Sequence, residues 1–133
     1  MSGVSPINAI TRALHKRRRD RGLAEAASWP LTDAKLLKPV IVPKDELAEG
    51  TAAQDSQLEI PYYFTLPGDG PASGYFGGHL RTAPVSYSEA SRLIPRIVEG
   101  TVIRVRYHPQ NPDECHTLAV DNEGLLPVEV WSS

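Results

Sequence analysis

The sequence has very little cysteine and no long hydrophobic run, and these two shortages exclude several classes of protein. The single cysteine, Cys115, cannot form a disulfide within the chain, which excludes the disulfide-stabilised secreted class. No apolar stretch approaches the roughly 20 residues that a membrane-spanning helix needs. No apolar core follows the first basic side chains, so a signal peptide is not expected. We therefore expect a cytoplasmic protein, with peripheral attachment to the inner membrane as the alternative.

The small net charge of −2 conceals an uneven distribution of charge along the chain. Residues 1–28 hold six basic and two acidic side chains, a net charge of +4, whereas residues 29–133 hold eight basic and fourteen acidic ones, a net charge of −6. Prolines become frequent only from residue 29 onward, which is typical of short strands joined by turns. The sequence thus predicts a basic N-terminal helix over residues 1–28 and a single β-rich domain over residues 29–133.

The basic segment has the pattern of a short amphipathic helix. Ser5 and Pro6 form a favourable helix start, and a few apolar residues follow at helical spacing. The basic cluster that comes next consists of Lys16, Arg17, Arg18, Arg19 and Arg21. This cluster is a candidate contact for nucleic acid or another anionic surface, because arginine pairs well with phosphate. The simpler interpretation is a solvated helix docked by its apolar stripe, and disorder is the third alternative.

The clearest periodicity in the chain is the alternation of apolar and other residues from Leu58 to Leu66, which predicts a half-buried strand. A turn-forming sequence follows, and a second strand over residues 73–83 completes a hairpin. Gly77 and Gly78 within it indicate a bulge or a close backbone approach. The earlier apolar stretch, residues 34–42, is interrupted by Pro39 and predicts an edge strand or a bulged one.

One helix and further strands complete the predicted domain. Ser86 and Glu89 form a capping box, and the helix is expected to end or kink near Leu93 because Pro95 follows. Strands are expected over residues 101–107 and 115–120, with a last short one within 125–131. The fold class is therefore α+β and β-rich: a curled, mostly antiparallel sheet or small open barrel of five to six strands with one packed helix. One side of the sheet is expected to bury Ile60, Tyr62, Phe64, Ile103, Val105 and Leu118.

The loop between the last two of these strands contains four residues that we interpret as a structural turn: His108, Pro109, Asn111 and Pro112. The two prolines restrict the backbone and favour extended conformations in the residues before them. Asn111 or Asp113 is expected to accept a hydrogen bond from a nearby amide, as in an Asx turn. The loop would then set the register of the flanking strands.

The segment from Gly100 to Pro112 resembles a bacterial group, domain-of-unknown-function family 3592, in its glycine, alternating strand and Tyr-x-Pro-x-Asn-Pro-like turn. Weaker similarities occur upstream, in the order in which that family has them: Trp29-Pro30, Tyr62-Tyr63-Phe64 and Tyr75-Phe76-Gly77-Gly78. The resemblance therefore covers roughly residues 29–120. His108 stands where that family more often has aspartate, and the membrane helices common beside the domain are missing here. The resemblance implies a β-rich fold and supplies no catalytic residues.

No group of residues in the sequence forms a recognisable catalytic motif. One cysteine and scattered histidines do not make a typical zinc pattern, and adjacent Cys115 and His116 would point to opposite faces of a strand. We therefore predict no catalytic, cofactor-binding or metal-binding residues. Arg104, Arg106 and Tyr63 form a candidate ligand or partner face, for which an ordinary solvent-exposed surface is the simpler interpretation.

These observations favour a non-catalytic interaction module that binds a protein partner or another macromolecule. Binding of nucleic acid or an anionic surface through the basic N-terminal helix is the alternative, and an enzyme of unknown class is the least favoured one. No cofactor is expected, and the sequence predicts neither the oligomeric state nor the identity of the partner.

Overall fold

The computed structural model describes residues 21–132, and for residues 131 and 132 it describes the backbone only. The helices are α1 (residues 21–26) and α2 (Tyr87–Leu93), and single 3-10 turns span Ile94–Arg96 and Ala119–Asp121. The strands are β1 (Leu31–Leu36), β2 (Val40–Pro43), β3 (Ser56–Leu66), β4 (Gly74–Arg81), β5 (Val102–Tyr107), β6 (Cys115–His116) and β7 (Trp131–Ser132). None of the helices described is long and apolar enough to cross a membrane.

The strands form one curled antiparallel sheet with the order β6-β5-β1-β3-β4-β7, in which β2 also pairs with β3. The curl closes about half of a barrel around the apolar side chains. Five of the strands have four residues or more, and β6 and β7 have two each. The predicted fold class, a β-rich curled sheet with one packed helix, is confirmed.

The predicted hairpin is the centre of this sheet. β3 and β4 pair over eight positions, which include Ile60 opposite Leu80 and Phe64 opposite Phe76. The alternating residues of β3 are buried as the period-two pattern predicts, because every second side chain of a strand points to the same face. Gly68 and Gly70 in the connecting turn have φ of +116° and +122°, which only glycine adopts without strain.

Prolines explain why the predicted strand over residues 34–42 is two strands. The chain leaves the ladder at residues 37–39, so that β1 lies inside the sheet between β5 and β3, while β2 pairs only with β3 among the described strands. Pro61, in the middle of β3, faces this interruption and accepts a hydrogen bond from the Leu37 amide at 2.8 Å. The N–H that proline lacks would point to a place where β1 has left the ladder, so no strand-to-strand hydrogen bond is lost. This is how a central strand tolerates proline.

The core lies on the inner face of the curl. Its fully buried members include Leu36, Leu58, Ile60, Phe64, Leu80, Ile103 and Val105. Helix α2 covers part of this face through the buried Ala90, and Ser86 caps it by accepting a hydrogen bond from the Glu89 amide at 3.1 Å. As expected from Pro95, the α-helix ends at Leu93 and continues as a 3-10 turn.

The predicted strand over residues 115–120 is wrong beyond its second residue. β6 ends at His116, Leu118 is only half-buried and is no member of the core cluster, and Val120 is 72% exposed. The reason is that the side chain of Asn122 takes the place of a strand beside β5. Its Oδ1 accepts from the Arg104 amide at 2.8 Å, and its Nδ2 donates to the Arg104 carbonyl at 2.8 Å. The last strand predicted within residues 125–131 is also wrong except at its final residue, because β7 spans Trp131–Ser132.

Helix α1 and the turn that follows it contact the sheet. An atom added as Cβ at Gly22 would lie 3.3 Å from Nε2 of His116, and Arg106 donates from Nη1 to the carbonyls of Ala27 and Trp29 at 3.0 and 3.1 Å. The division of the chain between residues 28 and 29 stays a prediction, and the helix start at Ser5 and Pro6 lies outside the described residues.

Candidate interaction face

The solvent side of the sheet is built by the same alternation that builds the core. Its members are the odd-numbered residues of 31–35, 59–65 and 75–81 and the even-numbered residues of 102–106, because their neighbours point inward. We call this set the outer face. Four strands contribute to it side by side, so its side chains stand on a rigid support rather than on loops.

Two tyrosines from neighbouring strands lie on the outer face. Tyr63 on β3 is half-buried, and Tyr75 on β4 is 81% exposed. Tyr63 pairs with Gly77, which makes Tyr75 and Tyr63 diagonal neighbours, about 7–8 Å apart at their Cα atoms. A Cβ at Gly77 would lie 2.5 Å from the Tyr62 carbonyl oxygen, so this position must be glycine and leaves bare backbone beside Tyr63. The close backbone approach predicted for Gly77 and Gly78 is confirmed at Gly77, whereas the atoms nearest to Gly78 belong to the side chains of Tyr62 and Cys115.

The outer face is more positive than the rest of the domain. It carries four basic residues (Lys35, Arg81, Arg104 and Arg106) and two acidic ones (Asp33 and Glu59), a net charge of +2. The remainder of residues 29–133 carries four basic and twelve acidic residues, a net charge of −8. The acidic groups are concentrated in the loops, whereas the sheet surface offers positive charge.

The two arginines of the predicted partner face have different roles. Arg106 makes a two-pronged pair with Asp121, Nε to Oδ2 at 2.8 Å and Nη2 to Oδ1 at 2.9 Å, in addition to its two carbonyl contacts near α1. These bonds hold the pKa of the Asp121 carboxyl below its usual range, and they outweigh the partial desolvation of the carboxyl, which acts to raise that pKa. Arg106 therefore joins β5 to the turn after α1 and to the 3-10 turn that contains Asp121.

Arg104, in contrast, extends into solvent. Its side chain is 53% exposed, and its nearest carboxylate is Asp33 on β1, with Nε and Oδ1 3.8 Å apart. An ion pair of this length at the surface contributes little to stability, so the guanidinium can reorient toward a ligand at small cost. Lys35, which pairs with both Tyr63 and Val102 in the sheet, is also exposed and links Arg104 to the tyrosines.

Tyr75 and Lys35 are site residues that the sequence reasoning missed. Tyr75 could have been found from the sequence. Residues 75, 77, 79 and 81 alternate with the apolar Leu80 in the predicted second strand, so they share the face opposite to the core. Lys35 carried no such signal, since its place beside Tyr63 depends on β1 lying next to β3. Of the predicted basic cluster, Lys16, Arg17, Arg18 and Arg19 lie outside the described residues, while Arg21, in α1, is exposed.

Cys115 belongs to the core rather than to the outer face. Its Sγ lies 3.3 Å from the Tyr62 hydroxyl and 3.5 Å from the Gly77 carbonyl oxygen, and burial raises the pKa of both the Cys115 thiol and the Tyr62 phenol. Both groups are thus held in their neutral forms, which makes the thiol a poor nucleophile. Within residues 21–132, no group of three or more His, Cys, Asp or Glu side chains is placed to hold a metal ion.

The predicted structural turn is held by a different acceptor from the one expected. Nδ1 of His108 accepts from the amides of Gln110 and Asn111 at 3.1 and 3.2 Å, which gives His108 the role expected for Asn111 or Asp113. Pro112 is fully buried and Pro109 is exposed. The ring of Trp29 lies between His108 and His116, with ring centroids 5.2 and 5.9 Å apart, so that the turn is anchored to the start of the sheet domain.

No protein-family model matches this chain, and neither the curated proteins nor the solved structures give a significant match. The resemblance to domain-of-unknown-function family 3592 therefore stays a prediction.

Proposed function

We propose that the protein is a non-catalytic interaction module that binds a protein or another macromolecule through its outer face. The observation that carries the proposal is Tyr75, a large aromatic side chain that is 81% exposed on a regular strand. Tyrosine provides much contact area for the loss of few rotatable bonds, which is why it is enriched where proteins bind one another. A rigid sheet that presents such a side chain next to Tyr63 is suited to recognition.

The states of the reactive groups support a role in binding rather than in catalysis. The thiol of Cys115 is buried and neutral, and the guanidinium of Arg106 is occupied by Asp121 and the backbone carbonyls of Ala27 and Trp29. The exposed groups of the outer face, among them Lys35 and Arg104, are separated along the sheet and suit contacts with an extended partner. A cytoplasmic location is part of this proposal.

The second candidate function is binding of nucleic acid or an anionic surface through the basic segment. Six basic side chains in residues 1–28 support it, and Arg21 is exposed on α1. This function would depend on Lys16, Arg17, Arg18 and Arg19 and would be independent of Tyr75.

A photo-crosslinking amino acid at position 75 of the full chain tests the proposal in the cells that make the protein. The matched control carries the same group at Tyr87, which is 66% exposed on α2 and away from the outer face. We expect position 75 to capture a macromolecule that position 87 does not. Equal capture, or capture at neither position, would contradict binding through the outer face.

A further inference from the structure

We propose that the macromolecule bound by the outer face is single-stranded nucleic acid, whose bases stack on Tyr63 and Tyr75 and whose phosphates contact Lys35 and Arg104. This inference rests on the proposed function and names the partner of the same site. It differs from the second candidate function, because the contact surface is the sheet rather than the basic N-terminal segment.

The arrangement of the two tyrosines supports base stacking. Tyr63 and Tyr75 lie on adjacent strands as diagonal neighbours, and Gly77 leaves the backbone beside Tyr63 uncovered. Unpaired bases stack on aromatic side chains of this kind when a sheet presents them to solvent, and stacking tolerates any base sequence because every base has a flat face. A base pair within a duplex does not expose such a face, so the site would select single strands.

The positive residues of the outer face lie where a backbone that passes the tyrosines would run. Across the sheet, Lys35 is the neighbour of Tyr63, and Arg104 follows two residues after Val102, the other neighbour of Lys35. Arg81 and Arg106 contribute less, because Glu59 and Asp121 pair with them at 3.2 and 2.8 Å. Lys35 thus lies next to Tyr63, whereas Arg104 lies one strand farther from the tyrosines, opposite the exposed Asp33. This arrangement suits a stretch of several nucleotides that crosses the sheet.

Only the local charge of the outer face favours an anionic ligand. The outer face carries +2, or +1 when Asp121, which is bonded to Arg106, is counted with it, whereas the rest of the domain is strongly negative and repels phosphates elsewhere. Binding that depends on such close charge contacts is weakened by salt. An acidic peptide would satisfy the same charges, but it would leave the two tyrosines and the bare backbone at Gly77 without a flat partner.

Fluorescence anisotropy of the full chain tests this inference with fluorescein-labelled oligouridylate and oligothymidylate of about 15 nucleotides, a length that covers a typical single-strand site. The variants are Tyr75→Ala and Arg104→Gln. Their controls are Tyr87→Ala and Arg92→Gln on α2, and Arg92 matches Arg104 well because it is also exposed and also lies 3.8 Å from a carboxylate. A duplex of the same length and an oligoglutamate peptide serve as competitors.

We expect Tyr75→Ala to weaken binding at least about fivefold, the lower end of what one stacked base contributes. Arg104→Gln should weaken binding and reduce its salt dependence, both control variants should bind within about twofold of the original chain, and neither competitor should displace the oligonucleotide efficiently. Far-ultraviolet circular dichroism of each variant checks that the fold is retained.

Three results would overturn the inference. The first is that neither oligonucleotide binds. The second is binding that Tyr75→Ala leaves unchanged but that is abolished when Lys16, Arg17, Arg18 and Arg19 are replaced by glutamine. The third is efficient displacement of the oligonucleotide by oligoglutamate. Crosslinking then shows which proposal has failed. A protein captured at position 75 would leave the proposed function standing with another partner, whereas no capture there would remove both.

Discussion

The hairpin of β3 and β4 and the segment from residue 108 to residue 130 are held in place by different kinds of interaction. The hairpin has a backbone ladder of eight paired positions, and its inward side chains are apolar. The later segment has only the two-residue β6 in the sheet, followed by turns. Its position is set by polar side chains, chiefly Asn122, Asp121 and His108.

This difference determines what a substitution costs in each region. In the hairpin the backbone bonds do not depend on the side chains, so a core substitution costs packing and leaves a cavity. In the later segment the side chain is itself the hydrogen-bond partner of the backbone, so its removal leaves buried polar groups unpaired. The predictions below test that distinction in order of expected effect.

Phe64→Ala should have the largest effect on stability. Phe64 is 1% exposed, and its ring lies 5.9 Å from that of Phe76 and 5.8 Å from that of Tyr107, centroid to centroid. Removal of a buried aromatic ring of this kind should lower the free energy of unfolding by about 3–5 kcal/mol. Urea denaturation followed by circular dichroism measures it, with the exposed Thr65→Ala as the control. A loss below about 1 kcal/mol would mean that the core does not depend on this face of β3.

Asn122→Ala should be the most damaging change in the later segment. Asn122 is 3% exposed, and besides both backbone groups of Arg104 it binds the Leu118 carbonyl at 2.9 Å. Its loss leaves three partly buried backbone groups without this partner, at an expected cost of about 2–3 kcal/mol. The exposed neighbour Glu123→Ala is the control in the same denaturation experiment.

The variant Asn122→Asp separates hydrogen bonding from packing at this position. Aspartate keeps the shape and the oxygen that accepts from the Arg104 amide, but its second oxygen would face the carbonyls of Arg104 and Leu118. We expect it to be no more stable than Asn122→Ala. Full stability of Asn122→Asp would show that the amide donors do not hold the segment.

The same contrast explains which parts of the fold could be predicted from the sequence. The alternation from Leu58 to Leu66 and the capping box at Ser86 are local patterns, and local patterns were sufficient for β3, β4, β5 and α2. No local pattern indicates that the side chain of Asn122 takes the place of a strand beside β5, because a single asparagine near a glycine is typical of an ordinary turn. The strand predicted through Val120 was therefore wrong.

The candidate site was only partly accessible from the sequence for a related reason. Tyr63 and Arg104 could be assigned to one face because each lies on a strand with clear alternation. Their connection through Lys35 depends on a sheet order in which β1 separates β3 from β5, and that order follows from long-range pairing. The occupation of Arg106 by Asp121 also joins residues 15 positions apart through the fold, so the sequence suggested two equivalent arginines where only one is exposed.

His108→Ala should have a smaller effect than Asn122→Ala, because the bonds lost lie at the surface. Alanine removes the acceptor for the amides of Gln110 and Asn111 and the edge-on contact with Trp29, at an expected cost of about 1 kcal/mol. His108→Asp should recover part of this loss, because its carboxylate can accept from the same amides. Equal stability of the alanine and aspartate variants would show that the ring contact, rather than the acceptor, is what matters.

The smallest expected effect is a pH dependence that comes from His116. Burial beside Trp29 and Gly22 lowers the pKa of the His116 imidazole, and the nearby Glu114 offsets this only in part. The unfolded chain therefore binds a proton at His116 more readily than the folded chain does. The stability that His116 contributes is fully present above the ordinary imidazole pKa of about 6.5 and declines as the pH falls through it.

Urea denaturation between about pH 8 and about pH 5 measures this effect. As the pH falls, the urea midpoint should decrease less for His116→Gln than for the original chain. His108 lies on the other side of Trp29 and remains in both proteins, so the difference between them isolates His116. Parallel pH profiles would show that His116 gains enough solvent to titrate freely, and would place the segment after residue 108 farther from Trp29 than its ring contacts indicate.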